Sequence, residues 1–396
     1  MRILMVLDRE FPFDERVEKE ALSLIGSGHE LHIACFYFSS GEDYSLYRGI
    51  HVHRKKISSF IFKTSAACLL IPTYFRWWSR YLQELFKGHA FDVIHVHDLP
   101  LSKIGYRFKK EFNLKLVCDQ HEYYSSWIVH TSHYNRGLGR VINLLSNWSK
   151  FERKFLNRAD LVITVEEPLR MGYIDSIGIP PNKIITVPNT PDLSIFEKVV
   201  TDPEIAQKFR NRFILFYAGG IDSLRGLELI LDSVRLIKEK IPEILFLIAG
   251  KEQKGYSIKS LARSKLVEDH VHFLGWQPLK MLPVYMMVSH IGVFTPPLNR
   301  NEIHRTIATK IYQYCASGLP VIVTKAEMMR KFVEKNKIGF AITDAADCAE
   351  KIRILYNEKE KYNEFKKNGL QISKNYSWSR TVQNLINAYK EKTLQS

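Results

Sequence analysis

The sequence predicts an α/β protein of two domains, each a parallel sheet covered by helices. Three observations carry this. At 396 residues the chain is too long for one compact core and suits two domains of about 150–200 residues. Short, uniformly apolar runs, as expected of strands buried on both faces, alternate with amphipathic helical stretches through both halves. Between the halves, Pro188-Asn-Thr-Pro-Asp-Leu193 has two prolines and no apolar period, which is linker chemistry. With 45% hydrophobic and 25% charged residues, the composition is that of an ordinary globular protein, neither disordered nor a membrane bundle.

Residues 2–7 read as the first buried strand. Asp14 to Gly28 read as a helix with Val17, Ala21, Leu24 and Ile25 on its apolar face, and Leu31 to Phe36 as the next strand. Asp14 stands where a helix N-cap is expected, so a cap and a site residue are both open readings. The opening MRILMVLDRE is a strand followed by charge, so no signal peptide is expected and a cytoplasmic location follows. The five cysteines are odd in number and scattered through apolar runs, which suits reduced core thiols. The net charge of +15 points to an anionic partner (nucleic acid, a phosphorylated substrate or a membrane surface) or to a lysine-rich solvated surface.

Arg54 to His89 combines flanking cations with Phe60, Ile61, Phe62, Leu69, Leu70, Ile71, Trp77 and Trp78. The apolar run is too short to span a bilayer. Tryptophans and cations suit a helix lying in a lipid interface, over Arg54–Arg80; packing of Trp77 and Trp78 inside the domain is the alternative. No recognised nucleic-acid-binding motif is present, so nucleic acid is not an expected partner.

Phe91 to Asp98 alternates as a strand. His95 and His97 share a face at the spacing of metal-binding His-x-His pairs, but further ligands are not evident, so no metal is expected. Leu114 to Asp119 is another strand, followed by Asp119-Gln-His121-Glu122-Tyr-Tyr124. An imidazole in that loop can donate a hydrogen bond or shuttle a proton near neutral pH, or else serve structurally by bonding Asp119 or Glu122. A helix (138–157), a strand (160–165), a helix (168–177) and a strand (183–189) complete the first half.

In the second half, a strand (212–218) runs into Gly219-Gly220-Ile-Asp-Ser-Leu-Arg225-Gly226 and a helix (227–240). A glycine pair after a strand lets backbone approach a phosphate, and Arg225 supplies a fork for its oxygens; a surface arginine at a helix start is the alternative. Gly250-Lys251-Glu-Gln-Lys-Gly255-Tyr256 follows the next strand as a near miss of a phosphate loop, with Tyr256 where lysine is needed, which argues against ATP hydrolysis. Val271-His-Phe-Leu-Gly275-Trp276 is a further strand and loop. Strand 291–294 then leads through a polar loop to a helix from about Thr306 to Ala316, a Ser317-Gly-Leu-Pro320 turn and strand 321–323. The N-terminus of this helix opens where the first strand ends, the place where open α/β sheets bind ligands. Thr309 and Lys310 lie in its first turn, with Gln313 on the face of Lys310. Backbone N–H groups and an ammonium can hold a phosphate while the Gln313 amide reaches a hydroxyl pair, which is the layout of a nucleotide-sugar site. Helices over 345–358 and 362–372 and a final amphipathic helix to about Lys392 end the chain.

Lys310-Ile-Tyr-Gln-Tyr-Cys-Ala-Ser-Gly-Leu-Pro-Val-Ile322 resembles the "K-[LF]-x-E-Y-x-A-x-G-x-P-V-[IV]" signature of the family-4 retaining glycosyltransferases of GT-B fold. Asp14-Glu-Arg16-Val17, Asp119-Gln-His121-Glu122, the hinge around Asn189, the Gly220–Arg225 loop and Val271–Gly275 are similar to other elements of that family, in the same order along nearly the whole chain. Two departures stand out. The family's Glu-x7-Glu pair is Arg305 and Gln313 here, with Glu302 as a substitute from the loop, and the glycine-rich loop after the first strand is Asp8-Arg-Glu-Phe-Pro-Phe13.

The resemblance implies two Rossmann-like parallel-sheet domains facing a central cleft (GT-B). Residues 1–190 would bind the acceptor, residues 191–377 the nucleotide-sugar donor, and the helix at about 378–396 would pack back on the first domain. It implies a metal-independent retaining transfer to a glycan or lipid-linked acceptor, with no cofactor beyond the nucleotide-diphosphate sugar donor. The implied catalytic residues are His121, Glu122 and Asp14. The implied donor contacts are Gly219, Gly220, Arg225, Gly250, Lys251, Trp276, Glu302, Arg305, Thr309, Lys310 and Gln313. Peripheral attachment to an anionic membrane, on the inner face of the plasma membrane, is expected through Arg54–Arg80. A sugar-nucleotide epimerase on the same fold and a catalytically inactive nucleotide- or membrane-binding scaffold are the alternatives.

Overall fold

Two parallel sheets organise the computed structural model, one in each of two units: Met1–Asn189 with Thr381–Ser396, and Thr190–Arg380. The structure describes residues 1–393 except 13, 123, 125–127, 131–133, 135–142, 198 and 300; the side chains of 130, 197, 301, 302, 392 and 393 also lie outside the description. The helix expected over 138–157 is therefore described only as Leu145–Leu156.

The first unit holds strands β1 (Arg2–Val6), β2 (Glu30–Tyr37), β3 (Tyr44–Tyr47), β4 (Ile50–Lys56), β5 (Val93–His97), β6 (Lys115–Gln120), β7 (Leu161–Thr164) and β8 (Ile184–Thr186), in the order β3-β4-β2-β1-β5-β6-β7-β8. All pair in parallel except β3, which runs antiparallel to β4 at the edge. The second unit holds β9 (Phe213–Ala218), β10 (Ile244–Ala249), β11 (Val271–Gly275), β12 (Ile291–Phe294), β13 (Val321–Thr324) and β14 (Gly339–Ile342), in the parallel order β11-β10-β9-β12-β13-β14. In each sheet the order reverses once, beside β1 in the first and beside β9 in the second. Crevices at such switch points, outside the carboxyl ends of the strands, are where open α/β sheets take ligands.

The strands are buried because helices cover both faces. Helix Glu15–Gly26 is started by the Asp14 carboxylate, which accepts from the backbone N–H of Arg16 and Val17, and it buries Val17, Ala21 and Leu24. Trp78, Trp148, Tyr74, Phe36 and Phe108 fill the first core, and Phe216, Tyr217, Phe246 and Tyr314 the second. In the second unit, glycine at Gly292 makes room for the Tyr314 ring, which would lie 2.3 Å from an added Cβ. All five cysteines are buried free thiols. The last helix, Trp378–Ala388, is followed by a turn that buries Tyr389, whose hydroxyl lies 2.8 Å from Nδ1 of His95.

The Arg54–Arg80 stretch differs from a single interfacial helix. Its beginning is the end of β4, and its tryptophans belong to helix Thr73–Gly88, which turns Tyr74, Phe75, Trp78, Tyr81, Leu82 and Leu85 into the core. Trp78 is fully buried, and Trp77 is half-buried against Phe36, Trp78 and Tyr81. These rings therefore pack within the domain instead of facing lipid. The exposed apolar side chains of the stretch are Phe60, Leu70 and Ile71, between strand and helix. No helix among the described residues is long and apolar enough to cross a membrane.

Trp78→Ala is expected to lower unfolding free energy in urea by about 3–5 kcal/mol, the cost of an unfilled cavity in a close-packed core, whereas Phe60→Ser leaves that free energy within about 0.5 kcal/mol of the parent.

Candidate functional site

Two groups of polar side chains gather at strand carboxyl ends, one in each unit. In the second unit the chain leaving β9 passes Gly219 and Gly220 and closes a tight turn at Gly226, with φ of +68°. A Cβ on Gly226 would meet the carbonyl oxygen of Thr295 at 1.7 Å, so only glycine lets this loop lie against the end of β12; the Thr295 hydroxyl donates to the Gly226 carbonyl at 3.0 Å. Gly250 is equally constrained, because its Cβ would fall 1.9 Å from the Gly219 carbonyl oxygen. Asp222 shapes the loop by accepting from Leu224 N at 2.8 Å and from Arg225 Nε at 3.4 Å. Tyr217 supports it from below, donating its hydroxyl to the Gly220 carbonyl at 2.7 Å.

Arg225 and Lys310 converge on this glycine bed. Nζ of Lys310 is 3.4 Å from where a Gly219 side chain would begin, and Nη2 of Arg225 is 3.9 Å from the same point on Gly220. The ammonium sits over the rings of Phe294 (4.5 Å) and Tyr217 (5.6 Å). Burial first, and then repulsion from Arg225, bring the Lys310 pKa down to about 8. The Asp222 carboxylate balances part of the Arg225 charge, and the two cations together form a receptor for a multiply charged anion.

Lys310 belongs to helix Thr309–Ala316, which starts three residues later than the sequence suggested and leaves Thr309 and Lys310 as its first two residues. Ala308 precedes it in extended conformation and offers no side-chain acceptor, so the N-terminal N–H groups lack a side-chain cap. Gln313 is 9% exposed, one turn further on. Lys251 and Arg305 are exposed, and Trp276 is 70% exposed beyond β11. The Glu302 side chain lies outside the described residues.

In the first unit a cavity of 690 Å³ opens at the ends of β1, β5 and β6, lined by Asp8, Arg9, Lys63, Asp98, His121 and Glu122 beside Phe62, Leu99 and Tyr124. His121 is pinned: Nε2 lies 2.9 Å from Oδ2 of Asp119, and Nδ1 lies 3.3 Å from Oδ1 of Asp98. Burial opposes its charge, but the Asp98 and Asp119 carboxylates outweigh that and push the pKa up to about 9. His121 is thus held in the imidazolium form at neutral pH, hydrogen-bonded to Asp119 and ion-paired with Asp98. Asp119 is buried, yet it stays ionised because Arg16 grips it through Nε and Nη2, each at 3.1 Å, and His121 adds a second cation. Asp14 is the helix cap, also bound by Arg9 at 3.0 Å, and so is a positioning group. Glu122 is exposed at the cavity, and its backbone carbonyl accepts from the Tyr173 hydroxyl at 3.3 Å.

Sequence reasoning missed Asp8, Arg9 and Asp98. Asp98 holds φ at +67°, an unfavourable state for a residue with a side chain, and is bridged to Asp14 by the Arg9 guanidinium (3.1 Å to Asp98). Asp8 is raised by burial to about 7 despite the hydrogen bond from Tyr74. The available signal was their position one to three residues past strands β1 and β5. The histidine pair His95 and His97 stacks at 4.5 Å and meets Glu20 and Asp119 with ligand atoms within 4.8 Å. The guanidinium of Arg16 already occupies both carboxylates, at 2.9 Å from Glu20, so a cation entering there meets a fixed positive charge.

Comparison with known proteins extends this geometry. Residues 16–195 match the family model described as Glycosyltransferase Family 4, and residues 200–372 match Glycosyl transferases group 1. The chain is 20% identical over 323 residues to EpsD of Bacillus subtilis (strain 168), a protein that carries a glycosyltransferase name, covering 78% of this chain and 79% of EpsD. Among solved structures it is similar in fold to sucrose-phosphate synthase from Thermosynechococcus elongatus, with a TM-score of 0.77, 15% identity and 100% of both chains covered. It is also similar to Anabaena HepE in complex with UDP-glucose, with a TM-score of 0.71, 17% identity and coverage of 98% of this chain and 99% of HepE.

Lys310→Met is expected to stabilise the protein at pH 7 by at least ~1 kcal/mol in chemical denaturation. The folded chain releases the Lys310 proton near pH 8 and the unfolded chain near 10.5, so the parent's stability rises with pH across that window and the advantage of the variant shrinks.

Proposed function

Because the chain belongs to the family-4 glycosyltransferases of GT-B fold, we propose that it is a retaining transferase that carries a sugar from a nucleotide-diphosphate donor to an acceptor hydroxyl. The observation that carries the donor assignment is the Arg225–Lys310 pair over the Gly219–Gly220 bed. A diphosphate there gains two charge-assisted contacts and the uncapped N–H groups of helix Thr309–Ala316. HepE, of the same fold, is known in complex with UDP-glucose, which supports a uridine nucleotide as the first donor to try.

The chemistry follows from charge. As the bond from the anomeric carbon to the diphosphate breaks, negative charge grows on the departing oxygen. Arg225 and Lys310 are already in place to receive it, so their stabilisation is greater in the transition state than in the ground state. The sugar becomes cation-like, and retention follows if the acceptor hydroxyl attacks from the face the diphosphate leaves, with the diphosphate oxygen taking the hydroxyl proton. The cavity of the first unit suits a polyhydroxylated acceptor: Asp8 and Glu122 accept from hydroxyls, while His121 and Arg9 set the local field. A glycan or lipid-linked acceptor of the cell envelope is the proposed class, and the exposed Phe60, Leu70 and Ile71 beside Lys63 are the proposed contact with an anionic bilayer.

A second reading, a nucleotide-binding scaffold without turnover, is favoured by Arg305 and Gln313 standing where the resemblance calls for two glutamates. A thermal-shift screen of nucleoside diphosphates and their sugars, followed by assay for released diphosphate, separates the two. Binding with turnover supports the transferase; binding without turnover across a donor panel leaves the scaffold; no binding defeats both.

Arg225→Ala and His121→Ala are each expected to lower turnover at least tenfold, about 1.4 kcal/mol of barrier, and unchanged kinetics would remove that residue from the site. The diphosphate Kd should be flat below pH 8 and weaken above it as free Lys310 loses its proton, and this dependence should vanish in Lys310→Met. Co-sedimentation with anionic liposomes at low salt is expected for the parent and reduced in a Phe60→Ser, Leu70→Ser double variant.

A further inference from the structure

Away from both cavities, the edge of the first sheet gathers histidines on one face. Glu30 and His32 stand two apart on β2, and His51 and His53 two apart on β4, so each pair projects to the same side. The parallel register sets His32 directly beside His51, with ring centroids 4.6 Å apart and planes inclined by 14°. Ligand atoms of Glu30, His32 and His51 all lie within 4.8 Å of one another.

We propose that Glu30, His32 and His51 form a binding site for a divalent transition-metal ion of the zinc class, with two imidazoles and one carboxylate as ligands and a fourth position open to water. Bonds of about 2.0–2.2 Å in tetrahedral geometry place ligand atoms roughly 3.4 Å apart, so side-chain rotation of about an ångström closes the set.

Hydrogen bonds around the three side chains orient them. Ring nitrogens that bind metal have their other nitrogen oriented by a hydrogen-bonding partner. Here Nε2 of His32 faces Glu30 at 2.9 Å, while its Nδ1 is held at 2.9 Å by Nε2 of His53. Nδ1 of His51 lies 2.9 Å from the Tyr44 hydroxyl, which leaves Nε2 of His51 to the ion. Arg2 binds Oε1 of Glu30 at 2.9 Å and so fixes the carboxylate in place. Glu30 is exposed and His51 half-buried, which provides an entry path that the buried Glu20–His95–His97–Asp119 cluster lacks. Arg2 binds Glu30 from a side chain that is itself 42% exposed, so its charge is screened by water, unlike that of the buried Arg16. Imidazole with carboxylate selects zinc, nickel or copper over magnesium and calcium, which prefer all-oxygen shells. Bound metal would tie β2 to β4 at the end of the sheet where β3 forms the edge.

The test uses the full chain without a histidine tag, stripped with chelator and titrated with zinc chloride by calorimetry. One equivalent is expected to bind, with a rise in thermal midpoint on saturation. His51→Ala and Glu30→Gln, both at solvent-accessible positions, should each weaken binding by more than tenfold and abolish the midpoint shift. Tyr44→Phe should weaken it roughly tenfold through loss of the orienting bond. His304→Ala, in the other unit, should bind like the parent. Cobalt in place of zinc should give the visible absorption of a low-coordinate N,O site. No saturable binding, or equal affinity in the parent, His51→Ala and Glu30→Gln, overturns the proposal.

Discussion

Two positive charges held side by side, Arg225 braced by Asp222 and Lys310 by the rings of Phe294 and Tyr217, are the constraint on which the second unit depends. Arg225 and Lys310 come from different strand–helix connections, yet both reach the backbone of Gly219 and Gly220. Their mutual repulsion, added to burial, is why the Lys310 proton is held so loosely. The fold tolerates this because the loop is locked by contacts that involve neither charge: Gly226 against Thr295, Gly250 against Gly219, and the Tyr217 hydroxyl on the Gly220 carbonyl. Stability is spent on a site whose favourable partner is an anion, the usual sign of function built into a scaffold.

The first unit solves the opposite problem. Asp119 is a carboxylate in the interior, and it is kept ionised by Arg16 and His121 instead of being protonated. Arg16 also donates to the Val187 carbonyl at 2.8 Å, so one guanidinium joins helix Glu15–Gly26, the end of β6 and the segment after β8. His121 joins Asp119 to Asp98, and Arg9 joins Asp98 to Asp14. This chain of alternating charges does the work of fixing the loop after β1, where the sequence has Asp8-Arg9 in place of a glycine-rich turn. Removing one partner would leave another buried charge uncompensated, so these residues act as a unit.

The outcome at individual residues shows why some features could be read in advance and others could not. Uniformly apolar strands such as 213–218 and 244–249 carry their own signal, because a strand covered on both faces has no room for polar side chains. Strand β4 hid from that reasoning: His51, His53, Arg54, Lys55 and Lys56 make it look like surface, and only its place near the sheet edge accounts for them. Trp77 and Trp78 were ambiguous between lipid and core, since an aromatic residue near cations satisfies either, and the packing of Phe36 and Tyr81 against them decided it. Asp14 was legible as a cap, and the cap is what it forms.

By itself the sequence determined the alternation of buried strands and amphipathic helices, the family to which the chain belongs, and the positions of the glycines and the helix tip that suit a phosphate. Those are properties of residue type and near-neighbour spacing, which fold one segment at a time. Only the tertiary structure decided that Arg225 meets Lys310, that Asp98 and Asp119 make His121 a fixed cation, and that β2 sets Glu30 and His32 against His51. Each of these depends on residues distant in the chain, and the fields and pKa shifts they create exist only once the sheets have brought them within a few ångströms.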